Sequence, residues 1–166
     1  MANLKELRSR ITSVSSTMQI TSAMKMVSAA KLSKAQDAIE SMRPYSQKLS
    51  QLLQDLSGAL DDDSTSKYAE QREVNKVLVV AISSNRGLAG AFNANIIKGV
   101  KNAVANEYAD IDVHLYSIGK KANDILKKSF TVYKANTHIF DDLSFEHVSV
   151  IAEDLMEQFL VGNYDK

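Results

Sequence analysis

A heptad pattern of apolar side chains runs through the first third of the chain. Steps of three and four residues from Leu4 to Leu60 meet an apolar side chain at 13 of 17 positions. This period is typical of a coiled-coil seam and predicts one long helix over residues 1–60. A continuous helix of this span would be roughly 85 Å long, so most of the seam needs a partner beyond a small domain. The seam residues include Leu4, Leu7, Ile11, Val14, Met18, Leu32 and Ile39.

Two features interrupt this pattern. Pro44 lacks an amide hydrogen and clashes with the preceding turn, so we expect a kink or a break near residues 42–45. Polar side chains occupy the seam at Thr21, Lys25 and Ser28. An apolar stripe there is displaced by about one residue, as in a coiled coil that changes its facing or loosens, although a seam that tolerates polar residues is the alternative. The displaced stripe consists of Ile20, Met24, Val27 and Ala30.

The hydrophobic period changes after residue 60. A run of aspartate, serine and threonine begins a linker that we place at residues 61–75. Apolar runs and amphipathic stretches then alternate over residues 76–166, which predicts a partial Rossmann-like, layered α/β domain with a mainly parallel sheet. Strands are predicted at residues 76–82, 111–116 and 130–133, and helices at residues 89–106, 120–129 and 144–160, the last with Ser144 as N-cap.

The sequence also predicts how the first strand is buried and where the sheet is incomplete. The first strand is a nearly continuous β-branched run, which predicts burial on both faces. The chain reaches Lys166 at a turn where a further strand should begin, so the sheet is expected to be incomplete at that end.

Composition narrows the classes of function. The net charge of zero combines +5 up to Lys48 with −5 after it. A basic arm suits nucleic acid or an acidic protein, but its charges are spread out and no aromatic residue precedes Tyr45, so nucleic-acid binding is not expected. The absence of cysteine excludes disulfides and thiolate chemistry. No apolar stretch reaches the roughly 20 residues that span a bilayer, and the start lacks a signal-peptide pattern, which favours a cytoplasmic protein.

The sequence SSNRGLAGAFN at residues 83–93 is the strongest candidate for a ligand-binding turn. It follows the first predicted strand, where open α/β sheets bind ligands. However, it lacks the three glycines of a dinucleotide fingerprint, and Ala91 and Phe92 stand where a Walker-type loop has lysine and a hydroxyl. Gly87 and Gly90 are therefore interpreted as providing backbone freedom and close helix–sheet packing.

Two other groups of residues carry side chains that occur in catalytic and metal sites. Ser83 or Ser84 would need a histidine base, and the three histidines lie far along the chain, so no catalytic triad is expected. An acidic, histidine-containing segment could chelate a hard metal, but its spacing matches no known ligand set and a solvated helix start is favoured. That segment contains His138, Asp141, Asp142, Glu146 and His147. We predict no catalytic, cofactor-binding or metal-binding residue.

Three segments resemble the gamma subunit of F-type ATP synthases. They are MQITSAMKMVSAAK at residues 18–31, Arg43-Pro44-Tyr45, and the turn at residues 83–93. Their order and spacing match the N-terminal part of that family, and the resemblance extends from Leu4 over essentially the whole chain. Asn85 stands where the family usually has aspartate, and Ala89 where it usually has cysteine.

The resemblance implies a non-catalytic rotor shaft. In that family the N-terminal helix pairs with a C-terminal helix as an antiparallel coiled coil inside a ring of alpha and beta subunits. The Rossmann-like domain sits at the foot, beside the epsilon subunit and the membrane c-ring, and carries no required cofactor. The C-terminal helix is not in this chain, which would leave the seam unpaired. The expected location is peripheral, on the cytoplasmic face of the bacterial plasma membrane, with a processed organellar form as the alternative.

The resemblance also suggests roles for individual residues. Met24 matches a position that faces the acidic lever segment of the beta subunits, and Lys25, Arg8 and Arg10 could add attraction to acidic residues. The turn with Arg86, Gly87 and Gly90 is implied to be structural.

Two other functions stay open at this point. The chain could be a free-standing nucleotide-binding α/β domain with a helical dimerisation arm. It could also be a coiled-coil adaptor that docks its arm on an acidic partner without rotation.

Overall fold

The computed structural model describes residues 3–59, 67–68, 70 and 72–166. The chain divides into two compact units, residues 1–64 and residues 65–166. Most of the first half of the predicted linker, residues 61–66, lies outside the described residues, as do residues 69 and 71.

The first unit contains one helix, α1, which spans Leu4–Ala59. Asn3 caps its start, because the Asn3 Oδ1 atom accepts a hydrogen bond from the Lys5 amide at 3.2 Å. The helix is continuous across Pro44, so a break at residues 42–45 is excluded, while a bend there stays a prediction. Proline removes only its own amide donor from the helix, and long helical segments on both sides keep theirs.

The second unit is an α/β layer structure that confirms the predicted fold class. Its strands and helices alternate in the order β1 (Lys76–Ile82), α2 (Phe92–Glu107), β2 (Asp112–Ile118), α3 (Lys120–Leu126), β3 (Thr131–Asn136) and α4 (Phe145–Leu160). The three strands form a parallel sheet in the order β1-β2-β3. Ser144 caps α4 as predicted, with its side chain accepting a hydrogen bond from the His147 amide.

Each face of the sheet carries its own apolar core. On one face, α2 and α3 pack through a cluster of Ala81, Val100, Leu115, Ala122 and Leu126. On the other face, α4 contributes Ile151 to a cluster with Tyr116 and Ile139. Neighbouring β2 residues therefore serve opposite cores, as the alternation of side chains along a strand requires.

The expectation that β1 is buried on both faces is wrong. Val80 is 38% exposed and Ile82 is 53% exposed, whereas Val77 and Ala81 are buried. The cause is topological, because β1 lies at one end of the strand order rather than at its centre. Apolar composition alone does not distinguish an edge position from a central one.

Residues 164–166 pack against β1 on the side away from β2. The Leu78 amide donates to the Lys166 carbonyl, and the Asp165 amide donates to the Lys76 carbonyl, both at 2.9 Å. The Tyr164 side chain is buried, with its hydroxyl 2.8 Å from His114 Nδ1. This 164–166 segment therefore fixes the start of β1 from a position about 90 residues later in the chain.

A pH-dependent contribution to stability is expected at Asp165. Its Oδ2 atom accepts hydrogen bonds from the amides of Asn75 and Lys76, both at 2.9 Å, and these bonds hold the pKa of the carboxyl below its ordinary value. A carboxyl with a lowered folded-state pKa stabilises the fold above its unfolded pKa of about 4 and loses this effect as the pH falls through the folded pKa. Urea unfolding midpoints measured between neutral and acidic pH should therefore fall less steeply in Asp165→Asn than in the unchanged protein.

The matched control for this measurement is Asp110→Asn, which changes an exposed aspartate in the turn before β2. It should keep the full acid dependence. An Asp165→Asn variant with an unchanged pH profile would contradict the assignment.

Candidate functional site

The apolar side of α1 is exposed to solvent along the first unit. Every side chain from Asn3 to Leu56 is exposed. The predicted seam residues are 44–74% exposed: Leu4, Leu7, Ile11, Val14, Met18, Leu32 and Ile39. Leaving such side chains in water forfeits roughly 1.5–3 kcal/mol for each, so this seam is built to be covered.

A second apolar stripe lies on a different side of α1, where the seam carries the polar residues Thr21, Lys25 and Ser28. Ile20, Met24 and Val27 are 57–63% exposed. On a regular helix this stripe lies about 100° around the axis from the seam positions at Thr21 and Lys25. Between Met18 and Leu32 the apolar side chains of α1 therefore lie on a different side of the helix from the seam above and below.

The threonine hydroxyls of this region form hydrogen bonds to backbone carbonyls within α1. Thr21 Oγ1 donates to the carbonyl of Thr17 at 2.9 Å and to that of Met18 at 3.0 Å. Thr17 and Thr12 donate to carbonyls four residues earlier in the same way. A hydroxyl that is already bonded to its own helix does not need a polar partner across an interface. Thr21 can therefore occupy the seam with its methyl group towards a partner.

The basic residues implicated at this surface do not form one cluster. Arg10 and Lys25 lie about 60° apart around a regular helix but about 22 Å apart along it, while Arg8 lies about 100° from Lys25. None of the three forms an ion pair within the described part of the chain. They present separate positive charges along α1, with Met24 next to the last of them.

The polar side chains of the turn after β1 are engaged in structural hydrogen bonds. The Ser84 amide donates to Asn93 Oδ1 at 3.0 Å, and Asn93 Nδ2 donates to Ser84 Oγ at 2.8 Å. The Ser84 hydroxyl also contacts the Arg86 carbonyl. Asn93 thus ties the first turn of α2 to the end of β1, a role that sequence reasoning did not assign.

The same turn is tied to α3 and to the end of β3. The buried Ser83 accepts a hydrogen bond from the Ala122 amide at 2.9 Å. Asn85 accepts from the Lys120 amide at 3.0 Å, and its amide group donates to the Thr137 carbonyl. In the described chain no histidine contacts either serine of this turn, so a triad on Ser83 or Ser84 has no base.

The expectation for the glycines of the turn is confirmed for backbone freedom at Gly90 and wrong for close packing. Gly90 adopts a left-handed conformation with φ of 56°, but a Cβ there would meet no atom within 4 Å, and Gly87 has no positive φ. Close packing of a neighbouring element is therefore not the reason for glycine at either position. The close approach occurs at Gly119, where a Cβ would lie 2.0 Å from the Ser83 carbonyl oxygen. Its position directly between a strand and a helix was the signal that could have identified it.

The histidine and aspartate residues of the loop before α4 surround a cavity of about 340 Å³ on the other face of the sheet. His138 Nδ1 lies 3.4 Å from Asp141, and His147 Nδ1 lies 2.9 Å from the Asp142 carbonyl. Among the residues the structure describes, no group of three or more histidine, cysteine, aspartate or glutamate side chains is arranged to hold a metal ion. These contacts belong to the loop and to the cap of α4.

Two side chains at this cavity have shifted pKa values. A 3.0 Å hydrogen bond to Asp154 raises the pKa of Lys134, and burial raises the pKa of Tyr116. Both groups therefore keep their protons at neutral pH, so neither can act as a base there.

The family of the chain follows from comparison with known sequences. A sequence model described as ATP synthase matches residues 3–166, and the chain belongs to this family. Within it, the chain is similar to ATP synthase gamma chains, as the sequence motifs indicated. It is 70% identical to that of Christiangramia forsetii, 60% to that of Flavobacterium psychrophilum and 44% to that of Cytophaga hutchinsonii, each across the whole chain. The chain spans 58% of the length of these relatives.

A further property of α1 is the narrow width of its apolar stripes. No helix among the described residues is long and apolar enough to cross a membrane. The exposed apolar surfaces of α1 are narrow stripes between polar residues, which suits contact with other protein surfaces.

Proposed function

We propose that the chain is part of the non-catalytic central-stalk rotor of a proton-translocating F-type ATP synthase. In this role it couples proton flow through the membrane c-ring to ATP synthesis on the alpha and beta subunits. The observation that carries the proposal is the long helix α1, exposed from Leu4 to Leu56, with apolar stripes on different sides.

The two stripes correspond to two kinds of partner in this proposal. The seam pairs with a C-terminal gamma helix as an antiparallel coiled coil, for which the greater length of the related gamma chains leaves room. The stripe through Met24 faces the beta subunits. Thr21 fits between the two surfaces because its hydroxyl is already bonded within α1.

Contacts of a rotor must be weak enough to break at each step. Met24 is unbranched and flexible, which lets one side chain adapt to successive surfaces. Lys25, Arg8 and Arg10 are exposed, and exposed ion pairs are typically worth about 1 kcal/mol or less. Acidic residues on the beta subunits would attract α1 without holding it.

The α/β unit acts as a scaffold at the foot of the shaft in this proposal, beside the epsilon subunit and the c-ring. Peripheral attachment at the cytoplasmic face of the bacterial membrane follows from that position. The turn with Arg86, Gly87 and Gly90 has a structural role, supported by the hydrogen bonds that tie the residues before it to α2, to α3 and to Thr137. We assign it no cofactor.

The free-standing nucleotide-binding alternative has its own test. A domain that binds ATP or NAD in its folded state would gain thermal stability in proportion to ligand concentration. Under the rotor proposal, nucleotides leave the melting temperature of the purified chain unchanged. A pull-down of ATP synthase alpha and beta subunits would separate the rotor from an adaptor for another acidic protein.

Charge reversal at Lys25 is expected to weaken coupling. In a full-length gamma chain assembled into ATP synthase, Lys25→Glu replaces attraction to acidic surfaces with repulsion. The ratio of proton pumping to ATP hydrolysis in membrane vesicles should fall by about two- to fivefold, the range that exposed charge pairs support.

Lys34→Glu is the matched control for this experiment. Lys34 is also exposed on α1, but it lies about 180° around the helix from Lys25. The control should change the ratio less than Lys25→Glu does. An unchanged ratio in Lys25→Glu would remove Lys25 from the coupling contact.

A further inference from the structure

The cavity on the α4 face of the sheet has no role in the function proposed above. It encloses about 340 Å³ between β2, β3, the loop before α4 and the first two turns of α4. A volume of this order is typical of sites for small molecules. Asn136, the last residue of β3, lines the cavity, so it lies at the carboxyl ends of the strands, where open α/β sheets bind ligands. The cavity therefore has the size and the place of a ligand site.

Tyr116 is the most buried residue that lines this cavity, with only 2% of its surface exposed. Its ring packs edge-to-face on that of Tyr133, at a centroid distance of 6.1 Å. Its hydroxyl has no hydrogen-bond partner in the described part of the chain, whereas a buried tyrosine hydroxyl usually has one. Burial raises the pKa of this hydroxyl, so it keeps its proton. The fold thus leaves an unused hydrogen-bond donor in the cavity.

Two further donors lie beside this hydroxyl on β3. Lys134 is the cross-strand partner of Tyr116, and Asn136 lies two residues further on the same side of the strand. The Lys134 ammonium group uses one of its three donors on Asp154, at 3.0 Å. Asn136 accepts two backbone amides of the following loop with its Oδ1 atom, which leaves its side-chain NH₂ group as a donor. We call Tyr116, Lys134 and Asn136 the donor set of the cavity.

The loop and α4 supply the apolar part of the cavity. Ile139 and Ile151 are 6% and 8% exposed and belong to the same core cluster as Tyr116. Val150 adds a third branched side chain and is largely exposed. A molecule in the cavity would therefore meet hydrogen-bond donors from the sheet and aliphatic side chains from the loop and α4.

We infer that the cavity lined by Tyr116, Lys134 and Asn136 binds a small organic molecule that has one carboxylate and an apolar body. The carboxylate accepts hydrogen bonds from the donor set, and the body packs against Ile139 and Ile151. Hydrogen bonds between a carboxylate and an ammonium group are among the stronger ones in proteins, and the apolar contacts add selectivity for the body of the ligand.

The charges around the cavity favour a carboxylate over a phosphate or an amine. One ammonium group, already shared with Asp154, matches a single negative charge, whereas a phosphate ester carries nearly two at neutral pH. Asp141 and Asp142 also line the cavity, but their side chains are 73% and 77% exposed, so water screens their repulsion of a single charge. An amine would meet Lys134 as a like charge.

Nuclear magnetic resonance titration of the ¹⁵N-labelled full chain tests this inference. The probe is phenylacetate. Its matched controls are phenylacetamide, which lacks the charge, and inorganic phosphate, which lacks the apolar body. We expect saturable shifts of the Ile139 and Ile151 amide signals with phenylacetate alone. Because each amide reports its own surroundings, contact of the probe with the exposed helix α1 is recorded separately.

Tyr116→Phe tests the donor in the same titration. It keeps the ring contact with Tyr133 and removes only the hydroxyl, so the Kd of phenylacetate should rise by about tenfold. Tyr108→Phe is the control, because Tyr108 lies outside the cavity beside Lys166, and it should leave the Kd unchanged. Circular dichroism checks that both variants are folded.

The two aspartates give a test of opposite sign. Asp141→Asn combined with Asp142→Asn removes exposed negative charges at the cavity, so the Kd of phenylacetate should fall by about two- to fivefold. The same change would weaken binding of an amine. Tighter binding of 2-phenylethylamine than of phenylacetate to the unchanged chain would therefore overturn the assignment to a carboxylate.

Four further outcomes would overturn the inference: no saturable binding of phenylacetate, equal binding of phenylacetamide, displacement of phenylacetate by inorganic phosphate beyond that by sodium chloride at equal ionic strength, or a Kd that is insensitive to Tyr116→Phe. The titration requires no ATP synthase complex. Its failure leaves the rotor proposal standing, and failure of the coupling experiment leaves this inference standing.

Discussion

Replacement of Gly119 by alanine is expected to destabilise the α/β unit by more than about 4 kcal/mol, a loss comparable with the whole stability of a marginal domain. The alanine Cβ would lie 2.0 Å from the Ser83 carbonyl oxygen and 2.7 Å from its carbon. Gly119 also has a φ of 95°, which side-chain-bearing residues rarely adopt. Relief of the clash would have to separate the end of β1 from the start of α3.

The measurement is urea unfolding of the two proteins, followed by circular dichroism. Gly99→Ala is the control, because Gly99 lies inside α2 and a Cβ there would meet no atom within 4 Å. Alanine in a helix interior is favoured over glycine by roughly 0.5–1 kcal/mol, so this variant should be slightly more stable than the unchanged protein. Similar stability changes in the two alanine variants would show that the close approach at Gly119 is not real.

The second large effect is expected at Tyr164. Its side chain is buried and makes edge-to-face contacts with the rings of His114 and Tyr133, at centroid distances of 5.5 and 5.7 Å. Tyr164→Ala removes these contacts and leaves a cavity beside β1, which should cost about 3–5 kcal/mol, as for other buried aromatic residues. The 164–166 segment should also detach from β1, which hydrogen exchange at the Leu78 amide would report.

Tyr164→Phe separates packing from hydrogen bonding in the same experiment. It keeps the ring contacts and loses only the hydroxyl contact with His114 Nδ1, so its cost should be about 1 kcal/mol. If phenylalanine proved as destabilising as alanine, the hydroxyl rather than the ring would anchor the segment.

The sequence predicted the elements whose signals are local. The strand at residues 76–82 and the capped helix before residue 160 were correct, because an apolar run and an N-cap serine are each contained in a few neighbouring residues. The long helix was also predictable, since its seam repeats over many turns. The continuity of α1 through Pro44 was left open, because the local cost of proline competes with the stability of the helix on both sides.

The exposure of β1 and the close approach at Gly119 depend on which elements meet in space, which the sequence does not show. The partial exposure of β1 follows from strand order, and the close approach at Gly119 requires the positions of two elements far apart in the sequence. The separation of Arg8 from Lys25 around α1, by contrast, could have been calculated from sequence spacing alone.

The pairing of the 164–166 segment with β1 has a consequence for synthesis of the chain. The α/β unit cannot close until residue 166 has left the ribosome, whereas α1 emerges before any of that unit. At the usual speed of translation, the 107 residues after α1 take on the order of 5–20 s to make. Throughout this interval the nascent chain displays both the apolar seam of α1 and an open sheet. We therefore expect the newborn protein to depend on chaperones that bind exposed leucines, and to aggregate when they are depleted.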